Sequence, residues 1–235
     1  MNTTLRLPEI RNKIIDELNP ILSPRGYRTK NKKGEIIFIK KDKTGYFELQ
    51  FFFNNHFPID YSTYFFFSIY QNEIQEVRKD FYTTALNTDL LDTPNIFFLE
   101  GDFIPEMANK PTKYKHDYKN KLVKGEDLEL VITKYKNICT DSLILLEQEF
   151  SSLEGTNKYI KHHKNTAVEH CFHGGMLETS LIAAKRLSDI DYKNILEFYM
   201  DHLTNTEGFG VIGKRVADTL LKLDEYLISK DPYQQ

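Results

Sequence analysis

Tryptophan is absent from these 235 residues, and there are only two cysteines, Cys139 and Cys171. Two cysteines make no disulfide framework, which excludes the small stapled secreted scaffolds and suits a reducing compartment. No apolar run approaches the length a membrane span needs. The N-terminus, Met1-Asn2-Thr3-Thr4-Leu5-Arg6, lacks the apolar centre of a signal peptide. The expected setting is the cytoplasm, with no membrane partner. A dominant charge sign is also missing: the net charge is -3 with 28% charged residues, so there is no global nucleic-acid footprint. No repeat of fixed period is present. What remains is an ordinary globular composition, 40% hydrophobic, in a chain long enough for one large domain or two small ones.

The densest signal is an aromatic block. In Tyr46-Phe47-Glu48-Leu49-Gln50-Phe51-Phe52-Phe53, strand alternation puts Phe47, Leu49, Phe51 and Phe53 on one face and Tyr46, Glu48, Gln50 and Phe52 on the other. Asn54, Asn55 and Pro58 break the run. In Tyr64-Phe65-Phe66-Phe67-Ser68-Ile69-Tyr70, the residues Phe65, Phe67 and Ile69 form an apolar face. The opposite face, with Tyr64, Phe66 and Tyr70, is unusually aromatic. A sheet packed on both sides would look like this; so would a binding surface made from Tyr46, Tyr64, Phe66 and Tyr70.

Other elements follow from periodicity and punctuation. Pro8 opens a helix whose stripe is Ile10, Ile14, Ile15 and Leu18, ended by Pro20 or Pro24. Arg25-Gly26-Tyr27 is a turn. Ile36 to Lys40 is a strand joined through Asp42-Lys43-Thr44-Gly45 to the aromatic strand as a hairpin. Ile74, Val77, Phe81 and Ala85 mark a helix, and Ile96 to Leu99 a strand closed by Glu100-Gly101-Asp102. The polar stretch from Met107 to Gly125 reads as a loop or linker.

From Asp127 the period is helical: Leu128, Val131, Ile132, Tyr135, Ile138, Cys139, Ser142, Leu145, Leu146 and Phe150 trace one stripe, with Gly155 as its stop. Thr166 with Glu169, and Thr204 with Glu207, have capping-box spacing. Helices are also expected at Met176 to Leu187, Ile195 to Leu203 and Val216 to Ile228. The predicted class is α+β: an N-terminal antiparallel sheet with flanking helices, then an all-helical C-terminal half. The predicted division is an α+β domain over 1–106, a linker over 107–125 and a helical part over 126–235.

Candidate chemistry is sparse. His162, His163, His170, Cys171 and His173 cluster in sequence, and His170 and His173 would share a helical face. Histidine and cysteine ligate zinc, but this spacing matches no standard structural zinc signature, and solvated histidines at a helix junction give the same pattern. His163, His170 and His173 are the candidate ligands of a divalent metal; otherwise no cofactor is expected. Gly208-Phe209-Gly210-Val211-Ile212-Gly213 fits the dinucleotide fingerprint by letter, but a helix precedes it where a strand is required, so it reads as a helix–helix turn.

Two basic stretches surround aromatic residues: Arg25, Arg28, Lys30, Lys32, Lys33, Lys40, Lys41 and Lys43, then Lys113, Lys115, Lys119 and Lys121. Such stretches can hold single-stranded nucleic acid. Lysine-guarded hairpin edges look the same, and the acidic remainder argues against nucleic acid. Asp60, Glu100 and Asp102 sit at strand ends, and no nucleophile–base set appears, so no catalytic residue is assigned.

Two resemblances add to this. His173-Gly174-Gly175-Met176-Leu177-Glu178-Thr179-Ser180-Leu181 resembles the start of a helix in some metal-dependent phosphohydrolases with paired His-Asp ligands, where a Gly-Gly-Leu-Leu-Glu-like stretch precedes a histidine. Thr179 stands at that histidine, and Asp201-His202 has the reverse order of the pair, so the resemblance implies a degenerate, inactive site. The N-terminal half, from Leu18 to Tyr27 with Pro24-Arg25-Gly26-Tyr27 at its turn, then Lys30 to Lys33, Phe38 and Gln50, resembles a family of uncharacterised bacterial domains built of a helix, antiparallel strands and closing helices. That resemblance implies an immunity-like or interaction role. The expected function is thus non-enzymatic binding of a protein partner, such as a toxin that it neutralises. The alternatives are a metal-dependent hydrolase and a nucleic-acid-binding module. Nothing in the sequence sets the oligomeric state.

Overall fold

The computed structural model describes residues 6–32, 34–56, 60–89, 93–103, 118–122, 125–169, 175–206 and 209–230. Among them are six strands: β1 (Arg28–Lys32), β2 (Glu35–Lys41), β3 (Gly45–His56), β4 (Asp60–Gln71), β5 (Ile96–Leu99) and β6 (Asn120–Leu122). The helices are α1 (Leu7–Leu22), α2 (Asn72–Thr84), α3 (Gly125–Asn137), α4 (Leu143–Glu149), α5 (Leu153–His162), α6 (Lys164–Glu169), α7 (Met176–Arg186), α8 (Tyr192–Asn205) and α9 (Gly210–Ser229). The strand order is β1-β2-β3-β4-β5, with β6 paired antiparallel to the start of β4. Every described element after β6 is helical. The fold is therefore the expected α+β class, an antiparallel sheet with helices followed by a helical C-terminal half.

Contacts divide the chain into two compact units, each made of two chain segments. Unit 1 comprises Met1–Ile69 with Phe98–Gln148, and unit 2 comprises Tyr70–Phe97 with Glu149–Gln235. These bounds differ from a division in sequence order at 106 and 126.

In unit 1, Ile10, Ile14, Leu18 and Leu22 recur every four residues along α1, and all four are fully buried. Each such side chain contributes roughly 1.5–3 kcal/mol. Glu9 starts the helix by accepting the Arg6 N–H at 3.2 Å. Pro20 does not end α1, which runs on to Leu22. A proline so near the C-terminus forgoes one hydrogen bond, and the burial of Leu18 and Leu22 offsets that loss.

The β2–β3 register pairs Ile36 with Phe51 and Phe38 with Leu49, so the expected apolar faces coincide. Their rings interlock: Phe38 meets Phe51 edge-on at 6.0 Å, and Phe51 and Phe65 both meet Tyr135 of α3, at 5.0 and 5.6 Å. The hairpin turn closes through Asp42, whose Oδ1 accepts the Thr44 N–H at 2.7 Å.

The long helical stripe after Asp127 is broken by a π turn at Ile138–Ser142, where the Leu143 N–H bonds the Ile138 carbonyl five residues back. Arg25 reaches into this turn and donates to the Cys139 carbonyl at 2.5 Å. The Cys139 thiol is 1% exposed, and burial pushes it up to about 12. Only the thiolate reacts. In a Cys171→Ser variant, the remaining thiol is therefore expected to resist Ellman's reagent at pH 8 until denaturant is added. Stoichiometric labelling of the native protein within minutes would contradict this burial.

Unit 2 centres on α7, where Met176, Leu177 and the whole run from Thr179 to Ala184 are buried, as befits a helix surrounded on all sides. Tyr199 of α8 donates to Ser180 Oγ at 2.9 Å. Gln71 Nε2 donates to the Phe150 carbonyl at 3.0 Å and to Thr156 Oγ1 at 2.8 Å.

Three boundaries differ from the sequence reading. Gly155 does not stop a helix; it is the third residue of α5, capped by Ser152, whose Oγ accepts the Gly155 N–H at 3.1 Å. Thr204 lies inside α8 and bonds back to the Met200 carbonyl at 2.7 Å, so it caps nothing. Thr166 falls within α6, which begins two residues earlier. The expected linker over 107–125 contains β6; its residues 107–117 and 123–124 lie outside the described ones.

Candidate functional site

Strand parity builds one face of the unit 1 sheet for the helices and leaves the other with aromatic side chains. On that second face, Phe52 of β3 stacks on Tyr64 of β4 at 5.3 Å with their planes 12° apart. Phe66 meets Phe52 at 5.0 Å and Tyr64 edge-on at 5.4 Å. All three rings are half-buried, as is Tyr46 further along β3. The rings lean on one another and so form a rigid patch rather than separate platforms. Burial, and then the Glu35 charge, push the Tyr64 phenol up, so it stays neutral and able to donate a hydrogen bond.

The surroundings of this patch are basic. Cross-strand partners share a face, so the register places Arg28 and Lys30 of β1 beside Ile39 and Ile37 of β2 on this side, with Ile37 itself buried. Lys41 lies opposite Tyr46, and Glu35 opposite Phe52. Lys121 pairs with Ser62, on the parity of Tyr64. The Lys119 ammonium lies 5.5 Å from the Tyr64 ring centroid, and that of Lys41 lies 5.4 Å from Tyr46. Arg28, Lys30, Lys41, Lys119 and Lys121 are exposed. Against them, Glu35 and Glu48 carry the negative charge, and Glu35 is occupied in part by Gln50 Nε2 at 2.8 Å. A chain of net charge -3 thus presents a predominantly cationic rim around an aromatic centre. The structure brings together Tyr64 and Phe66 as expected and adds Phe52 and Lys119. Tyr70 has the same parity but belongs to unit 2.

The other candidates separate. His170 and His173 lie outside the described residues, together with Cys171. His163 stacks on Tyr159 at 4.4 Å; partial burial, then neighbouring His162, lower its pKa. Neutral imidazole can ligate metal, but among the described residues no group of three His, Cys, Asp or Glu side chains is placed to hold an ion. Thr179, at the histidine position of the phosphohydrolase-like stretch, is fully buried and donates to the Asn95 carbonyl at 3.0 Å. His202 Nδ1 lies 3.1 Å from the Phe198 carbonyl.

Gly210 to Gly213 of the glycine-rich stretch are the first turn of α9 rather than a turn between helices, and Gly213 lets α9 pack closely on the Leu203 carbonyl of α8. Among the carboxylates at strand ends, Asp102 caps locally, accepting the Leu99 N–H at 2.8 Å. Glu100 is buried as an ion pair with Lys134 and also accepts from Asn120 Nδ2 at 2.6 Å and the Phe65 N–H at 3.2 Å. Burial pushes its carboxyl up, while Lys134 and the other donors pull it back in part.

Glu147, which the sequence did not single out, gathers Arg25, Lys40 at 2.6 Å and the Tyr27 hydroxyl at 2.8 Å. Two members of the N-terminal basic stretch are thereby committed to structure, and its members Arg28, Lys30 and Lys41 reach the aromatic face. No described helix is long and apolar enough to cross a membrane. Compared with models of protein families, with curated proteins and with solved structures, this chain matches none of them.

Proposed function

We propose that the chain is a non-enzymatic protein-binding module of the cytoplasm, and that the aromatic face of unit 1 takes an acidic protein partner. The observation behind this reading is the half-buried cluster of Phe52, Tyr64 and Phe66 inside a cationic rim. Rigid aromatic anchors ringed by polar groups are the usual energetic centre of a protein interface. Nucleic acid fits less well, because single-strand binders offer free ring faces for bases to stack on. Here Phe52 lies against Tyr64 in parallel, and Lys119 sits over the Tyr64 ring. The immunity-like version, with a toxin as the partner, rests on the N-terminal resemblance.

The test is capture from nuclease-treated lysate of the source cells, with wild type and Tyr64→Ala/Phe66→Ala compared side by side. Binding of a labelled dT20 strand is measured by fluorescence anisotropy in parallel. The expected result is one acidic protein bound about 30-fold or more weaker by the variant, as hot-spot losses of about 2 kcal/mol require. Tight dT20 binding that falls steeply with salt would replace this reading with the nucleic-acid one. A partner held equally by the variant would remove the aromatic face from the function.

A further inference from the structure

Unit 2 contains a cleft of about 570 Å³ between α2, the start of α7 and α9. That volume falls within the usual range for small-molecule sites, roughly 300–1,000 Å³. Its floor is polar but internally neutralised. The Arg78 side chain is 3% exposed; its Nε donates to Glu178 at 2.6 Å, and its other nitrogens donate to the Thr93 carbonyl at 3.0 Å and Thr93 Oγ1 at 2.9 Å. Tyr82 donates to the second Glu178 oxygen at 2.6 Å. Gly175 leaves room for this guanidinium, because a Cβ there would collide with it.

The lip is different. Arg215 and Lys222 are two turns apart on one side of α9; both are exposed and line the cleft, and neither has an ion-pair partner among the described residues. Asp218, between them, offsets only one of the two charges. The walls are Leu177, Val216, Leu220 and Ile212, and Ile212 remains 55% exposed. The positive end of the α7 macrodipole adds to the same sign.

We propose that this cleft binds a small amphiphilic anion. Its carboxylate or phosphate head meets Arg215 and Lys222 at the lip, and its aliphatic part covers Leu177, Val216 and Ile212. The apolar contact removes exposed Ile212 from water, and the head supplies the counter-charge that Asp218 alone leaves unmet.

The full chain is titrated calorimetrically with octanoate, octyl phosphate, octan-1-ol and inorganic phosphate. Octanoate and octyl phosphate are expected to bind, with octan-1-ol and inorganic phosphate each about tenfold weaker or more. Arg215→Ala/Lys222→Ala should weaken both anions by about tenfold and leave octan-1-ol unchanged. Thr219→Trp, which fills the cleft from α9, should abolish binding of all four probes. Circular dichroism shows whether each variant is folded, and the exposed positions of Arg215 and Lys222 make a fold defect there unexpected. The proposal is overturned if no probe binds wild type at millimolar concentration, if octan-1-ol binds as tightly as octanoate, or if the folded double variant binds octanoate like wild type.

Discussion

Replacing Glu100 with alanine is expected to destabilise the protein by about 3–5 kcal/mol, the usual cost of removing one partner from a buried ion pair. The side chain is 1% exposed and collects donors from three elements: the Phe65 N–H of β4, the Asn120 amide of β6, and Lys134 and Tyr135 of α3. Alanine leaves the Lys134 ammonium without its counter-ion and the Phe65 N–H without an acceptor. Urea unfolding followed by tyrosine fluorescence gives the magnitude, and amide exchange in β4 and β6 assigns it to unit 1. A double variant, Glu100→Leu/Lys134→Met, should recover only the part of the loss that comes from the unpaired ammonium, because the Phe65 N–H and the Asn120 amide still lack their acceptor. A cost below about 1 kcal/mol for Glu100→Ala would mean that solvent already reaches the pair.

Gly155→Ala is expected to be the most damaging single-methyl addition in unit 2. On helix propensity alone, alanine should gain about 1 kcal/mol over glycine at this position. The geometry opposes it. A Cβ at Gly155 would overlap the Glu149 carbonyl, which is backbone and cannot rotate away as a side-chain end can. Overpacking of this kind costs about 1–3 kcal/mol, and a backbone obstacle belongs at the upper end. The expected net loss is about 2 kcal/mol by the same unfolding measurement. Removal of the neighbouring cap by Ser152→Ala should cost about 1 kcal/mol. A stabilised Gly155→Ala protein would show that α5 and the end of α4 have room to separate.

Period-two alternation made the sheet legible. Phe47, Leu49 and Phe51 had to share a face, and the register confirms that Ile36 and Phe38 are their partners. The α1 stripe was legible for the same reason at helical spacing. Strand β6 was not, since three residues with one buried leucine carry no period. The π turn was hidden inside an apparently continuous helical stripe, because one extra residue in a turn shifts the pattern too little to notice.

The Glu147 cluster was invisible for a different reason. Arg25 and Lys40 lie more than a hundred residues away from it in sequence, and pairing at that separation depends on the finished fold. The candidate face was half legible: parity put Tyr46, Tyr64, Phe66 and Phe52 on one side. Only the β1–β2 and β4–β6 registers revealed that Arg28, Lys30 and Lys121 join them.

The interleaving of the two units has a consequence for synthesis on the ribosome. Chains emerge N-terminus first, and units tend to fold as they are completed. Unit 1 is complete once Gln148 has emerged, whereas unit 2 begins at Tyr70 and waits for the segment from Glu149 onward. In the interval, α2 has been made without α7, and its stripe of Ile74, Val77 and Phe81, buried in the finished protein, has no partner to cover it. The nascent chain therefore carries the apolar stripe of α2 uncovered through residue 148 and on until α7, Met176–Arg186, has been made.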